Sequence, residues 1–352
     1  MKIYQDNGYI DVGAIVDTMR QNNVTFTFLW GGRGIGKTYN SLAYFTEQKI
    51  KFLLMRRQTN QMEALSTKVL SPFNVLNTDK GWNIQPKMVT AKKLSTFAEE
   101  REEDGKIIRS EPVCSFVSLQ GIAGLRGFDA STTDFLLFDE FIREGHERPI
   151  PNEADAFLNA YETINRNREL QGKPPLLVLC MANSNNIVNP LFVKLGLVSK
   201  ALQLEKDENR EYSIDRERGY MLIDGKKSPI SKMKANTALY KLVGQESSFY
   251  GMAIGNEFTD VDLSNVRSRP LVEYKPITVV GELCIYKHKF KRMFYVSMHT
   301  QGTPDVYTTN KIDLKRFARK YAHLWLAYLA SRVEFEAYEC KALFENYFDA
   351  KT

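Results

Sequence analysis

Gly31-Gly32-Arg33-Gly34-Ile35-Gly36-Lys37-Thr38 fits the phosphate-binding pattern G-x-x-x-x-G-K-[ST] without a mismatch. The octapeptide follows an apolar run at residues 25–30 and opens a helix-length segment at 37–49, the strand, loop and helix context that the pattern requires. Glycines allow the backbone N–H groups of residues 31–36 to close around phosphate oxygens, and the helix points its positive end at the same anion. In this arrangement Lys37 reaches the β and γ phosphates of ATP, and Thr38 ligates Mg²⁺.

About a hundred residues on, Phe135-Leu136-Leu137-Phe138-Asp139-Glu140 supplies the partner motif. An apolar strand delivers carboxylates at its C-terminal end, where open α/β sheets bind ligands. Asp139 suits the Mg²⁺ shell. Glu140 suits the base or orienting group that an attacking water needs, which favours ATP hydrolysis over phosphoryl transfer to a small molecule. Asn183, after the run at 176–181, is placed to touch both γ-phosphate and water, or else simply ends a strand as turn residues do. Arg166 and Arg168, in Asn165-Arg166-Asn167-Arg168, offer guanidinium groups for a transition-state finger or a solvated helix end.

Further apolar runs at 51–57 and 113–119 alternate with helix-length segments. The whole reads as a P-loop NTPase of the ASCE type, an α/β fold on a mainly parallel sheet with its central strands buried on both faces. The charge-dense stretch 99–111, around Asp104-Gly105, reads as an exposed hairpin tip. With 352 residues, two domains are expected: a motor at 1–204, a charge-rich linker at 205–244, and a smaller α/β domain at 245–352. In the last, strands are expected at 249–256, 282–288 and 292–298, and a long helix at 314–348.

Residues 1–211 hold 26 basic and 26 acidic side chains, and 212–352 hold 22 and 16. The whole excess of positive charge therefore lies in the C-terminal part, as expected of a part that handles a polyanion. Lys287, Lys289 and Lys291 alternate along a strand-like segment and Arg292 follows, which makes them candidate nucleic-acid contacts or, equally, guards of a strand edge. Four scattered cysteines without a CxxC pair indicate neither zinc nor disulfides. No apolar run reaches the roughly 18 to 20 residues of a membrane span, and the first residues hold no signal-peptide core, so a soluble, cytoplasmic protein is expected.

The P-loop GGRGIGKT, the strand FLLFDE, its continuation FIREGHERPIPNEADAFLNAYETINRNRE and the tail LLVLCMANSNNIVNPLF together resemble the genome-packaging ATPases of small tailed phages with protein-primed linear genomes, a branch of the terminase-like ring motors. The likeness is strongest over residues 25–195. It implies a homomeric ring, usually of five subunits, at the portal (connector) vertex of an empty capsid in the host cytoplasm, driving double-stranded DNA inward with ATP and Mg²⁺. Some relatives also attach through a packaging RNA. Carried onto this chain, the resemblance makes Arg166 the finger donated in trans, with Arg168 in reserve, and gives Arg33 a contact to phosphate or a neighbour. It also implies that the C-terminal domain is a degenerate RNase H-like nuclease relic. Glu257 and Glu282 do not make a convincing three-carboxylate set for two metals. The competing functions are a packaging ATPase with an active nuclease and an ATP-gated DNA loader.

Overall fold

The computed structural model describes residues 1–122, 132–144, 147–243, 247, 263–302 and 304–349. They fall into two compact units, one from Met1–Asn186 and Gln203–Thr259, the other from Ile187–Leu202 and Asp260–Thr352. The first carries ten strands: β1 (Phe26–Trp30), β2 (Phe52–Arg56), β3 (Ile84–Thr90), β4 (Leu94–Glu103), β5 (Lys106–Arg109), β6 (Cys114–Ser118), β7 (Phe135–Asp139), β8 (Leu177–Ala182), β9 (Tyr212–Asp215) and β10 (Tyr220–Asp224). Their order is β3-β4-β6-β2-β7-β8-β1-β10-β9, with β5 paired to β4.

The six strands from β6 to β10 in that order run parallel. Five of them are the apolar runs read from the sequence; β10 is the sixth. All five residues of β7 are buried, and each large apolar side chain so enclosed contributes roughly 1.5–3 kcal/mol. Helices cover the sheet: Phe45, on the helix Lys37–Glu47, packs its ring 5.3 Å from Phe52 and 4.8 Å from Phe135. β8 lies between the P-loop strand β1 and the carboxylate strand β7, the inserted strand of an ASCE-type sheet. The stretch 99–111 is a hairpin in which Glu103 faces Lys106 and both Asp104 and Gly105 have positive φ, the geometry of a two-residue primed turn.

Two expectations are corrected. The span 205–244, expected as a linker, contributes β9 and β10, and β10 pairs in parallel with β1 along its whole length. Tyr220-Met221-Leu222-Ile223-Asp224 is buried throughout; a five-residue strand inside a charged stretch leaves little periodic signal. The long helix expected at 314–348 is three helices, Lys311–Lys320, Ala322–Leu329 and Tyr338–Asp349. Ser331, at φ 55°, turns the chain into a buried strand at Val333–Phe335.

The second unit is a five-stranded sheet made of β11 (Tyr274–Val280), β12 (Leu283–His288), β13 (Phe294–Ser297), β14 (Asp305–Tyr307) and β15 (Val333–Phe335). The order is β14-β11-β12-β13-β15. Leu283, Ile285, Val296, Phe317, Phe335, Phe344 and Phe348 form its core. The strand expected at 249–256, with Glu257, lies outside the described residues. Among the described residues no helix is long and apolar enough to cross a membrane.

Candidate active site

Parallel pairing sets the site. Trp30 is level with Ala182, Met181 with Asp139, and Met55 with Phe138. The residues that follow β1, β8 and β7, together with Arg56 at the end of β2, therefore emerge on one edge. Gly36 begins the helix Lys37–Glu47 at φ 90°, a left-handed conformation that glycine adopts without strain. A Cβ there would also meet Tyr9 at 3.1 Å and Asn40 at 3.0 Å. Asn40 holds the helix start to the N-terminal segment by donating Nδ2 to the Ile10 carbonyl at 2.7 Å.

Lys37 is buried. Its Nζ donates to the carbonyls of Gly31 (3.0 Å) and Gly32 (2.7 Å) and to Asn183 Oδ1 (3.2 Å). Burial pushes this ammonium down to about 7; Asp139 counters, while Lys234 and Arg33 lower it further. Thr38 Oγ1 donates to Asp139 Oδ2 at 2.8 Å. A hydroxyl and a buried carboxylate side by side at a phosphate loop fit Mg²⁺, which takes one or two protein oxygens and keeps the rest of its octahedron for waters and phosphate.

Three features of the site escaped sequence reasoning. Arg56 spans both carboxylates: Nη2 lies 2.8 Å from Asp139 Oδ2, and Nη1 pairs with Glu140 Oε2. Glu140 itself sits at φ 59°. A left-handed non-glycine costs on the order of 1–3 kcal/mol and is concentrated at functional sites. Glu144 accepts from Arg33 Nη2 at 2.5 Å and from Asn183 Nδ2 at 3.3 Å, so the loop after β7 folds back over the P-loop. That loop is braced below by Arg57, whose buried guanidinium donates to Glu153 at 2.6 and 2.8 Å and to Glu147 at 2.6 Å. The only trace of this in the sequence is a pair of arginines ending an apolar strand and a run of glutamates after the DE motif. The resulting cleft has a volume of about 680 Å³ and is lined by Lys37, Thr38, Asp139, Glu140 and Asn183, together with Tyr9 and Tyr39. That is the size of a small-ligand site.

Of the residues singled out, Arg33, Gly34, Gly36, Lys37, Thr38, Asp139, Glu140 and Asn183 line the cleft, with Gly31 and Gly32 holding Lys37 by their carbonyls, while Ile35 is packed into the core; Arg166 and Arg168 do not reach it. Both follow the helix Glu153–Asn165, which ends at the opposite edge of the sheet. Arg168 is buried there: it donates to the carbonyls of Thr133 and Pro174 and pairs with Asp134 at 3.4 Å. These residues precede β7 and β8, about 17 Å, one five-residue strand length, from Glu140. Arg168→Ala is therefore expected to lower stability by about 1–3 kcal/mol and to leave nucleotide affinity unchanged, as read by urea denaturation and ATP titration. Arg166 is exposed, at φ 47°, and its Nε donates to the Thr163 carbonyl at 3.3 Å.

The basic residues of the second unit also differ from expectation. β12 ends at His288, and His288 Nδ1 accepts from the backbone of Phe290 and Lys291 at 3.0 and 3.1 Å. Only Lys287 is on the strand. Lys289, Lys291 and Arg292 lie in the turn to β13, so no single strand face carries all the lysines. Among the described residues no group of three or more His, Cys, Asp or Glu could hold a metal ion.

A family model described as podovirus DNA encapsidation protein (Gp16) matches residues 15–320. The chain is 29% identical over 214 residues to the DNA packaging protein of Bacillus phage B103, covering 56% of this chain and 60% of that protein. It is 25% identical over 298 residues to the DNA packaging protein of Bacillus phage phi29, covering 82% and 79%. In fold it is similar to a chain of the bacteriophage phi29 viral genome packaging motor assembly, with a TM-score of 0.61, 19% identity and complete coverage of both chains.

Proposed function

This chain belongs to the podovirus DNA encapsidation protein (Gp16) family, and from that premise we propose that it hydrolyses MgATP in the P-loop cleft to drive double-stranded viral DNA into a preformed capsid. The observation that carries the reading is the meeting of Lys37, Thr38, Asp139, Glu140 and Asn183 at one sheet edge. Lys37 turns from the loop carbonyls to the β and γ phosphates, whose negative charge favours its ammonium form. Thr38 and Asp139 would hold Mg²⁺, which would neutralise charge developing on the phosphate oxygens. Glu140 orients the attacking water and accepts its proton, while Asn183 reports the γ-phosphate to Glu144.

Arg166, a strand length from its own cleft, serves the cleft of a neighbouring subunit in a ring, most simply a pentamer. The ring attaches to the portal at the procapsid vertex in the host cytoplasm, directly or through a packaging RNA. ATP turnover per subunit is then expected to rise steeply with protein concentration and again with double-stranded DNA. A rate indifferent to both would sink the ring-motor reading.

The second unit, with its positive surplus, serves docking to nucleic acid or portal rather than cutting. Should the turn that holds Lys289 and Lys291 meet phosphates together with Lys287, Gln at all three positions in the full chain is expected to flatten the salt dependence of nucleic-acid binding by up to about 2–3 units of slope. An unchanged slope in a filter-binding titration would leave these lysines to solubility or a protein partner.

A further inference from the structure

We propose that Lys234 is a phosphate ligand of the nucleotide cleft, supplied from the segment after β10, and that it favours the triphosphate over the diphosphate. The inference rests on the reading of the cleft as an ATP site and adds to it a residue outside every motif. Lys234 ends the short helix Pro229–Lys234, which the fold brings to the outer limb of the P-loop. Its Nζ donates to the Arg33 carbonyl at 2.5 Å. A Cβ built on Gly34 would lie 2.1 Å from the same nitrogen, so the ammonium rests directly on the loop whose N–H groups face the anion. Gly34 is at φ 73°, and any side chain there would drive Lys234 away.

Electrostatics point the same way. Among the described residues the Lys234 ammonium donates one hydrogen bond, to a neutral carbonyl, and forms no ion pair with a carboxylate. Burial and the neighbouring Arg33 guanidinium both lower its proton affinity. Arg33 is paired with Glu144 and Lys37 lies beside Asp139, so Lys234 is the cation on this loop whose charge no carboxylate among the described residues offsets. Such an arrangement belongs at a functional site and is relieved by a polyanion. The triphosphate, carrying more charge at its outer end, relieves it more than the diphosphate. The segment is anchored for this purpose: Gly225 N–H donates to the Trp30 carbonyl at 2.8 Å, and Ser228 Oγ to the Gly8 carbonyl at 3.1 Å. A lysine at its far end can therefore move onto phosphate while its base stays fixed to the P-loop strand.

The test is calorimetric titration of full-length protein with MgATP and with MgADP, in a Glu140→Gln background so that ATP persists. Lys234→Gln is expected to weaken ATP about 10- to 100-fold, the range of one charge-assisted hydrogen bond. ADP should weaken several-fold less, and Lys234→Arg should recover most of the loss. Thermal unfolding without nucleotide separates this role from a structural one. Removing a repelled charge leaves the unliganded Tm unchanged or higher and shrinks the rise caused by ATP, whereas loss of a structural strut lowers the unliganded Tm. Equal losses for ATP and ADP, no loss for either, or a lowered unliganded Tm with ATP affinity intact would each overturn the inference. Lys37→Ala is the control: if the parent binds no ATP, the cleft reading itself fails, and if Lys37→Ala alone abolishes binding, only the role of Lys234 falls.

Discussion

Glu140→Gln is expected to bind MgATP as the parent does and to hydrolyse it about 10²- to 10⁴-fold more slowly, the range that loss of general-base help allows. The glutamine is isosteric and keeps a carbonyl oxygen for Arg56, so the ion pair that now fixes Glu140 beside Asp139 becomes a neutral-acceptor hydrogen bond. The positive φ of Glu140 belongs to the backbone and is unaffected. What disappears is the capacity to accept a proton from water. Lys37→Ala should do the opposite, weakening ATP binding itself, because the ammonium that would meet phosphate is lost. Single-turnover hydrolysis beside equilibrium ATP binding distinguishes the two. If Glu140→Gln lost binding and turnover in equal measure, the residue would be holding nucleotide and the assignment of a base would fail.

The contrast between these two residues reflects how the site is encoded. The P-loop and the DE strand were legible because each is local: a phosphate cradle needs glycines and a lysine at fixed offsets, and a strand buried on both faces must be apolar at consecutive positions. The five central strands read from the sequence lie within a residue or two of those observed for the same reason. β10 was missed because its evidence is non-local. Five buried residues next to Lys226 and Lys227 become a strand only by pairing with β1, whose edge they cover. Arg56, Glu144 and Lys234 were missed on the same ground. Each comes from a different stretch of chain, and what places it is the shared level of parallel strand ends and the fold of the loops above them. The break at Ser331 is another such case: Leu314, Phe317, Tyr321 and Leu324 have helical spacing, yet Val333 and Phe335 complete a sheet, and tertiary pairing overrode the pattern.

Arg166 is where these two kinds of encoding meet, and it carries the last expected result. A mixture of Arg166→Ala and Glu140→Gln subunits should recover ATP hydrolysis that neither variant shows alone. In one chain Arg166 stands at the edge of the sheet opposite Glu140, so it cannot reach its own cleft without dismantling β7. In a ring the cleft of one subunit can face the Arg166 edge of the next. An Arg166→Ala subunit brings an intact base, and a Glu140→Gln subunit brings an intact arginine. Of the four neighbour combinations in an even mixture, one joins the intact base to the intact arginine, so recovery should reach up to about a quarter of the parent rate against parents each reduced by as much as 10³-fold or more. The readout is steady-state phosphate release across mixing ratios, and independent sites predict a maximum at equal amounts. If co-assembled rings of two folded variants, verified by size and thermal unfolding, stay as inactive as their parents, Arg166 does not act across a subunit boundary.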